Sequence, residues 1–212
     1  MLALDHLVVI APSLAEGAAH VRARLGVDMQ AGGRHPQMGT WNLLLRLGDD
    51  VFLEVIAVDP DAPRPDRPRW FGLDDIDAVR AAWADGRRLR AWVARTGELD
   101  AVLDRHGALL GEAMQVSRGD RSWRFALRAD GSLPAEGAAP PVIDWGPRGN
   151  PAPAMPDPGA RLRSFRISHP DPAGATALYD RLGLADPPVV VAGPQIRYRA
   201  IIETPGGIRE LS

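Results

Sequence analysis

The stretch that decides the fold is Leu4-Asp5-His6-Leu7-Val8-Val9-Ile10, read together with Phe52-Leu53-Glu54-Val55-Ile56. The first is an apolar run that turn residues stop at Ala11-Pro12-Ser13, and it reads as a β-strand carrying one imidazole. A helix follows over Leu14 to Gly26, with Ser13 as N-cap, Glu16 three residues on and Gly26 as the stop. Three further strands are predicted at Val27 to Gln30, Trp41 to Leu47 and Val51 to Val58, with Gly32-Gly33 and Gly48-Asp49-Asp50 as turns. The unit is therefore βαβββ, with His6 on its first strand and Glu54 on its last. An imidazole and a carboxylate on those strands point to a shared metal or acid/base site.

The same order of elements recurs twice. The second copy runs from a strand at Leu89 to Arg95 through a helix at Glu98 to His106. It ends in strands at Glu112 to Ser117, Ser122 to Ala129 and Pro141 to Trp145. The third has a strand at Leu162 to Ser168, a helix at Asp171 to Leu182, and strands at Val189 to Ala192, Ile196 to Ile202 and Ile208 to Leu211. Arg22-Ala23-Arg24-Leu25-Gly26 is echoed by Tyr179-Asp180-Arg181-Leu182-Gly183. The predicted division is a first module over 1–58, a Pro-rich crossover and helix over 59–88, and a second module over 89–146. A Pro/Gly linker over 147–160 and a third, shortened module over 161–212 complete it.

On its residues, the first module resembles the vicinal oxygen chelate superfamily. Within it, the glyoxalase-like branch is marked by Leu4-Asp5-His6-Leu7, by Gly32-Gly33-Arg34-His35-Pro36-Gln37-Met38-Gly39-Thr40-Trp41-Asn42, and by Phe52 to Ile56. The resemblance implies an α+β fold in which βαβββ modules form a cup-shaped mixed sheet with helices outside. It also implies ligands for one divalent metal on the first and last strands of the two paired modules. Carried over, His6 and Glu54 match in the first module. In the second, the first-strand position falls near Trp92, which cannot ligate, and the last strand offers Asp144. The third offers Ser164 and Glu210, and either pairing of modules is open.

Alternation of side chains along strands places Phe52, Glu54 and Ile56 on one face and Val51, Leu53 and Val55 on the other. The second set suits the helix, which leaves Glu54 facing the cup. Asn42, Leu44 and Arg46 share a face of their strand, so Asn42 and Arg46 are candidate substrate contacts, with His35 and Trp92. Trp41, Trp123 and Trp145 are further candidate walls, although strand aromatics are commonly plain core. Each site residue has a structural alternative. Glu54 can pair with Arg46, His6 can be a hydrogen-bonded core histidine, His35 can hold a turn, and Asp144 can cap the linker at Gly146. His20, His106 and His169 read as structural or solvent-facing.

Composition narrows the chemistry. The sequence is 45% hydrophobic with a formal net charge of −2, and its arginines are spread without aromatic interleaving, so no nucleic-acid footprint is expected. There is no cysteine, which excludes thiolate ligands and nucleophiles, and no lysine, which excludes Schiff bases and a P-loop lysine. Nothing matches a dinucleotide fingerprint, HExxH or Gly-x-Ser-x-Gly. No apolar run reaches a membrane span and the N-terminus lacks signal-peptide character, so a cytoplasmic protein without membrane partners is expected.

Two functions follow. One is a glyoxalase-like small-molecule enzyme, a lyase, isomerase or dioxygenase acting on a carbonyl or vicinal-oxygen compound. In it His6 and Glu54, helped by Asp144 or His35, hold a divalent metal; without metal, Glu54 is general base and His6 its partner. The other is a metal-free binding or sequestration protein with the same cup. An odd third module that pairs with its twin predicts a homodimer.

Overall fold

The computed structural model describes residues 1–212. The first five elements are β1 (Ala3–Ile10), α1 (Leu14–Leu25), β2 (Gln30–His35), β3 (Thr40–Arg46) and β4 (Phe52–Val58). After the crossover come α2 (Ile76–Ala84), β5 (Leu89–Arg95), α3 (Leu99–Leu110), β6 (Glu112–Arg118), β7 (Arg121–Leu127) and β8 (Val142–Asp144). The last are β9 (Arg161–His169), α4 (Pro172–Leu182), β10 (Val189–Ala192), β11 (Arg197–Thr204) and β12 (Gly207–Leu211). No helix is long and apolar enough to cross a membrane.

One sheet holds eight strands in the order β2-β3-β4-β1-β5-β8-β7-β6. Its two halves repeat one pattern, in which the first strand lies parallel to the last, as β1 with β4 and β5 with β8. An antiparallel β1–β5 seam joins the halves, and the sheet curls into the expected α+β cup. The remaining strands form a separate sheet, β10-β9-β11-β12. The third copy thus shares the element order of the others but not their strand order: β9 takes β10 as its parallel neighbour and β11 on its other side.

Alternation decides where each apolar set goes. Leu7, Val9, Leu53 and Val55 face outward into a core with Val21 and Leu25 of α1 and with Phe165, Ile167, Tyr198 and Ile202 of the second sheet. Val8, Ile10, Ile56, Ala91, Val93, Phe125 and Ile143 face inward and fill the base of the cup. The inner face of the second sheet is therefore covered within the chain, by the back of the cup.

Two local readings are corrected. Gly32-Gly33 is not a turn but part of β2, which starts three residues later than predicted and pairs with β3 through an irregularity between Ala31 and Gly33. Gly107 does not end α3, which continues to Leu110 and stops at Gly111. Leu99, Val102 and Leu110, on one side of that helix, pack into a common core with Val142 of β8, which carries the helix past the glycine.

Candidate functional site

The cup encloses a cavity of about 40 Å³. His6, His35, Asn42 and Glu54 line it from one half, and Arg118, Trp123 and Phe125 from the other. Trp70 and Phe71 of the crossover also line it, packing edge-on against Phe125. Phe71 does so with a left-handed backbone, φ 59°, a conformation costing roughly 1–3 kcal/mol that the surrounding contacts must offset. One ordered water needs roughly 10–15 Å³ by this kind of measure, so the cavity as it stands admits only a few heavy atoms.

His6 owes its setting to an extra residue in β1. Leu4 pairs with Ala94 and His6 with Val93, so Asp5 is a β-bulge residue opposite no partner. The bulge lets two consecutive side chains turn inward. Asp5, wholly buried, takes the Nδ1–H of His6 at 2.6 Å through Oδ1. Its Oδ2 accepts from Trp145 Nε1 at 2.9 Å and from Asn150 Nδ2 at 2.7 Å. On the other side of the ring, His6 Nε2 lies 3.5 Å from Glu54 Oε2, and the imidazole stacks on Phe52 at 4.5 Å. Asn42 Nδ2 donates to Glu54 Oε1 at 2.6 Å. A Cβ at Gly32 would overlap Oδ1 of that asparagine, which is the reason for a glycine inside β2.

Burial works against a charged His6, but the hydrogen bonds and charges of Asp5 and Glu54 outweigh it and raise its pKa to about 9. Burial also pushes Glu54 up, and the hydrogen bond and charge of His6 more than reverse this, leaving Glu54 below the usual carboxylate range. At neutral pH the centre is an imidazolium between two carboxylates.

Arg118, at the end of β6, closes the cup opposite this ion triad. Its Nη1 donates to Asn42 Oδ1 at 3.2 Å and faces His35 Nε2 at 3.4 Å. Its Nε and Nη2 make no hydrogen bond within the protein. A guanidinium can only donate, so His35 Nε2 carries the lone pair and Nδ1–H points to Thr40 Oγ1, 3.2 Å away. Thr40 also accepts from Trp70 Nε1 at 3.2 Å. Burial, with a further contribution from Arg118 against the opposing pull of Glu54, lowers the pKa of His35 to about 4, so this second imidazole is neutral.

Of the residues expected from sequence, His6, Glu54, His35 and Asn42 come together; Arg46, Trp92 and Asp144 do not. Arg46 lies on the expected face but at the strand end, where it binds Gly48 O and Asp49 at 2.9 Å each and ties the β3–β4 turn. Trp92 points out of the back of the cup, buried edge-on to Phe165 and Tyr179. On β8 it is Ile143 that faces inward, and Asp144 accepts the Gly146 N–H at 2.9 Å, the capping alternative. Trp123 and Trp145 are walls, whereas Trp41 packs on the outward core. Arg118, Trp70 and Phe71 were not expected. Arg118 had a signal: it lies two residues beyond Val116, the one buried residue of β6, and so on the inward face.

The donor set does not fit a divalent metal. His6 and Glu54 lie on one wall, no third carboxylate or imidazole joins them as a ligand group, and a guanidinium occupies the facing wall. Two donors opposite a fixed positive charge fall short of the three or more protein ligands typical of catalytic zinc sites, and of the oxygen-rich shells of harder ions.

Fold and cavity together define a cup protein whose candidate site is built by two βαβββ halves of one chain. The chain belongs to the glyoxalase-like domain family, whose model matches residues 4–183. No curated protein matches the sequence. Among solved structures, a hypothetical protein from Staphylococcus aureus is similar at TM-score 0.66 and 12% identity, covering 100% of this chain and 99% of that one. Methylmalonyl-CoA epimerase from Mycobacterium tuberculosis is similar at TM-score 0.40 and 18% identity, over 68% of this chain and 89% of the other. A catechol 2,3-dioxygenase is similar at TM-score 0.40 and 16% identity, over 85% and 55% respectively.

Proposed function

We propose that the cup is a metal-free acid–base site for a small carbonyl compound, in which Glu54 removes or returns a proton on carbon next to the carbonyl. The observation that carries this reading is the pairing of an ionised, buried carboxylate with an unfilled guanidinium across one cavity. Glu54 is a weak base in this setting, so it needs the substrate C–H acidified. Arg118 supplies that by holding the carbonyl oxygen as it gains negative charge. His6, already protonated, keeps Glu54 ionised before the transfer and can return a proton after it. Asp5 holds the imidazolium in place. His35 and Asn42 orient Arg118. One chain supplies both halves of the cup, so the reading requires no partner copy.

The test is α-proton exchange in D2O, followed by NMR over a panel of small hydroxyketones and 2-oxo acids. The parent should exchange at least one compound at a rate that chelator does not change, and Glu54→Gln should lower it by about 100-fold or more. Close to one tightly held divalent ion per chain, with exchange lost on its removal, would overturn the metal-free reading. A second reading, a binding protein, is favoured by the aromatic lining of Trp70, Phe71 and Trp123 around so small a void. It predicts tight binding with no exchange, and affinity that survives Glu54→Gln.

A further inference from the structure

A cavity much larger than that of the cup lies elsewhere in the molecule. It lies where the second sheet meets the β5 end of the first, has a volume of about 670 Å³, and falls within the size range of ordinary small-molecule sites. Arg87, Arg90 and Arg197 converge on it. Arg87 and Arg197 share one carboxylate, Asp85 Oδ2, at 2.9 and 3.0 Å. Arg90 has none: it makes no ion pair in the protein, and because its Nη1 is enclosed without an acceptor, it is the rest of its guanidinium that can face the cavity. A guanidinium stays charged at any ordinary pH, so an unpaired one that is partly withdrawn from water is costly unless a ligand answers it.

Two backbone features aim these groups. In the β1–β5 seam Val8 pairs with Ala91 and Val9 with Leu89, which leaves Arg90 as a bulge residue re-aimed out of the regular ladder. Across the cavity, Ala135 and Glu136 both hold left-handed backbones, φ 46° and 56°, although neither is glycine. Tyr198 of the second sheet pins that loop by donating to Gly137 O at 2.7 Å. Consecutive strained residues beside an unpaired, half-buried charge are the pattern of a shaped site rather than of a passive gap.

We infer that this junction is a second ligand site, for a small organic oxyanion such as a phosphate ester or a polycarboxylate, with Arg90 as its principal contact. Arg87 and Arg197 complete the positive wall, and Leu133 and Ile196 cover the carbon part of the ligand. Glu136 on the rim disfavours a ligand with excess charge at that end. The site is independent of the cup chemistry, since the seam of the first sheet separates the two cavities.

The test is calorimetric titration of the full chain with inorganic pyrophosphate and with citrate, comparing the parent with Arg90→Met and with Glu54→Gln. One equivalent of either probe should bind the parent with Kd below about 1 mM. Binding should weaken at least about tenfold in Arg90→Met, the loss expected for a charge-assisted contact, and be unchanged in Glu54→Gln. Tighter pyrophosphate binding assigns a phosphate ligand, and tighter citrate binding a carboxylate. Without ligand, Arg90→Met should melt no lower than the parent because the unpaired charge is gone. If it melts lower, Arg90→Lys replaces it, with weaker binding again expected because the planar fork is lost. Failure of both probes to bind the parent, equal affinity in the Arg90 variant, or loss of binding in Glu54→Gln would each overturn the inference.

Discussion

Raising the pH from 6.5 to 9 should destabilise this protein through one side chain. His6 has its pKa lifted from 6.5 to about 9, and at about 1.4 kcal/mol per unit this amounts to about 3 kcal/mol. The folded state holds a proton that the unfolded chain has lost over that window, so stability declines as pH rises. The contribution is complete below pH 6.5 and gone above 9. Urea unfolding monitored by tryptophan fluorescence at half-unit steps measures it directly, as the free energy extrapolated to water. His6→Gln should start lower and show a flat alkaline limb, because it carries no titrating group between Asp5 and Glu54. A parent protein whose stability is level from pH 6.5 to 9, or a variant with the same decline as the parent, would refute the imidazolium between two carboxylates.

The acid limb should have the opposite origin. His35 and His20 are both held near pKa 4, chiefly by burial, so the unfolded chain binds protons first and stability should fall as pH drops from 6.5 toward 4. Replacing His35 with Asn should shallow that slope in the same titration. Arg118→Met removes the cation facing His35, so the His35 Cε1–H resonance should titrate at higher pH than in the parent, and proton exchange on carbonyl compounds should fall about 100-fold or more. Gly32→Ala drives a methyl into the Asn42 amide and should cost about 1–3 kcal/mol in chemical denaturation while reducing exchange. Trp92→Phe removes a buried indole N–H that has no partner. It should shift stability by no more than about 2 kcal/mol and leave cup binding unchanged, in contrast to Trp123→Phe on the inner face.

The legible part of the site is the part that strand alternation governs. Glu54, Asn42 and the outward Leu53 and Val55 all follow from a period of two on β3 and β4. His35 was harder because Gly32-Gly33 carries a turn signature. The pair is instead accommodated in a strand, where the missing side chains make room for Asn42 and for Arg118 crossing over Gly33. Arg118 belongs to a half of the cup that curls round to meet the first, a closure that depends on sheet curvature and not on any local pattern. Trp92 and Asp144 were misplaced for a simpler reason. Both sit one residue away from the inward positions, held instead by Ala91, Val93 and Ile143. The third copy shows the limit of matching element order alone, since hydrogen-bond partners and not sequence succession decide which strands are neighbours.

The extra residue at position 5 separates two properties usually written into one. Leu4 faces out and His6 faces in, so a strand without Asp5 would still alternate correctly and still present the imidazole to the cup. What the insertion adds is an anion behind the ring, shielded from water by Trp145 and Asn150. Location is thus fixed by the ladder, while the irregularity in it adds one of the two anions that raise the pKa of the ring. Deleting that one codon would leave the imidazole facing the cup with Glu54 as its one remaining anionic neighbour.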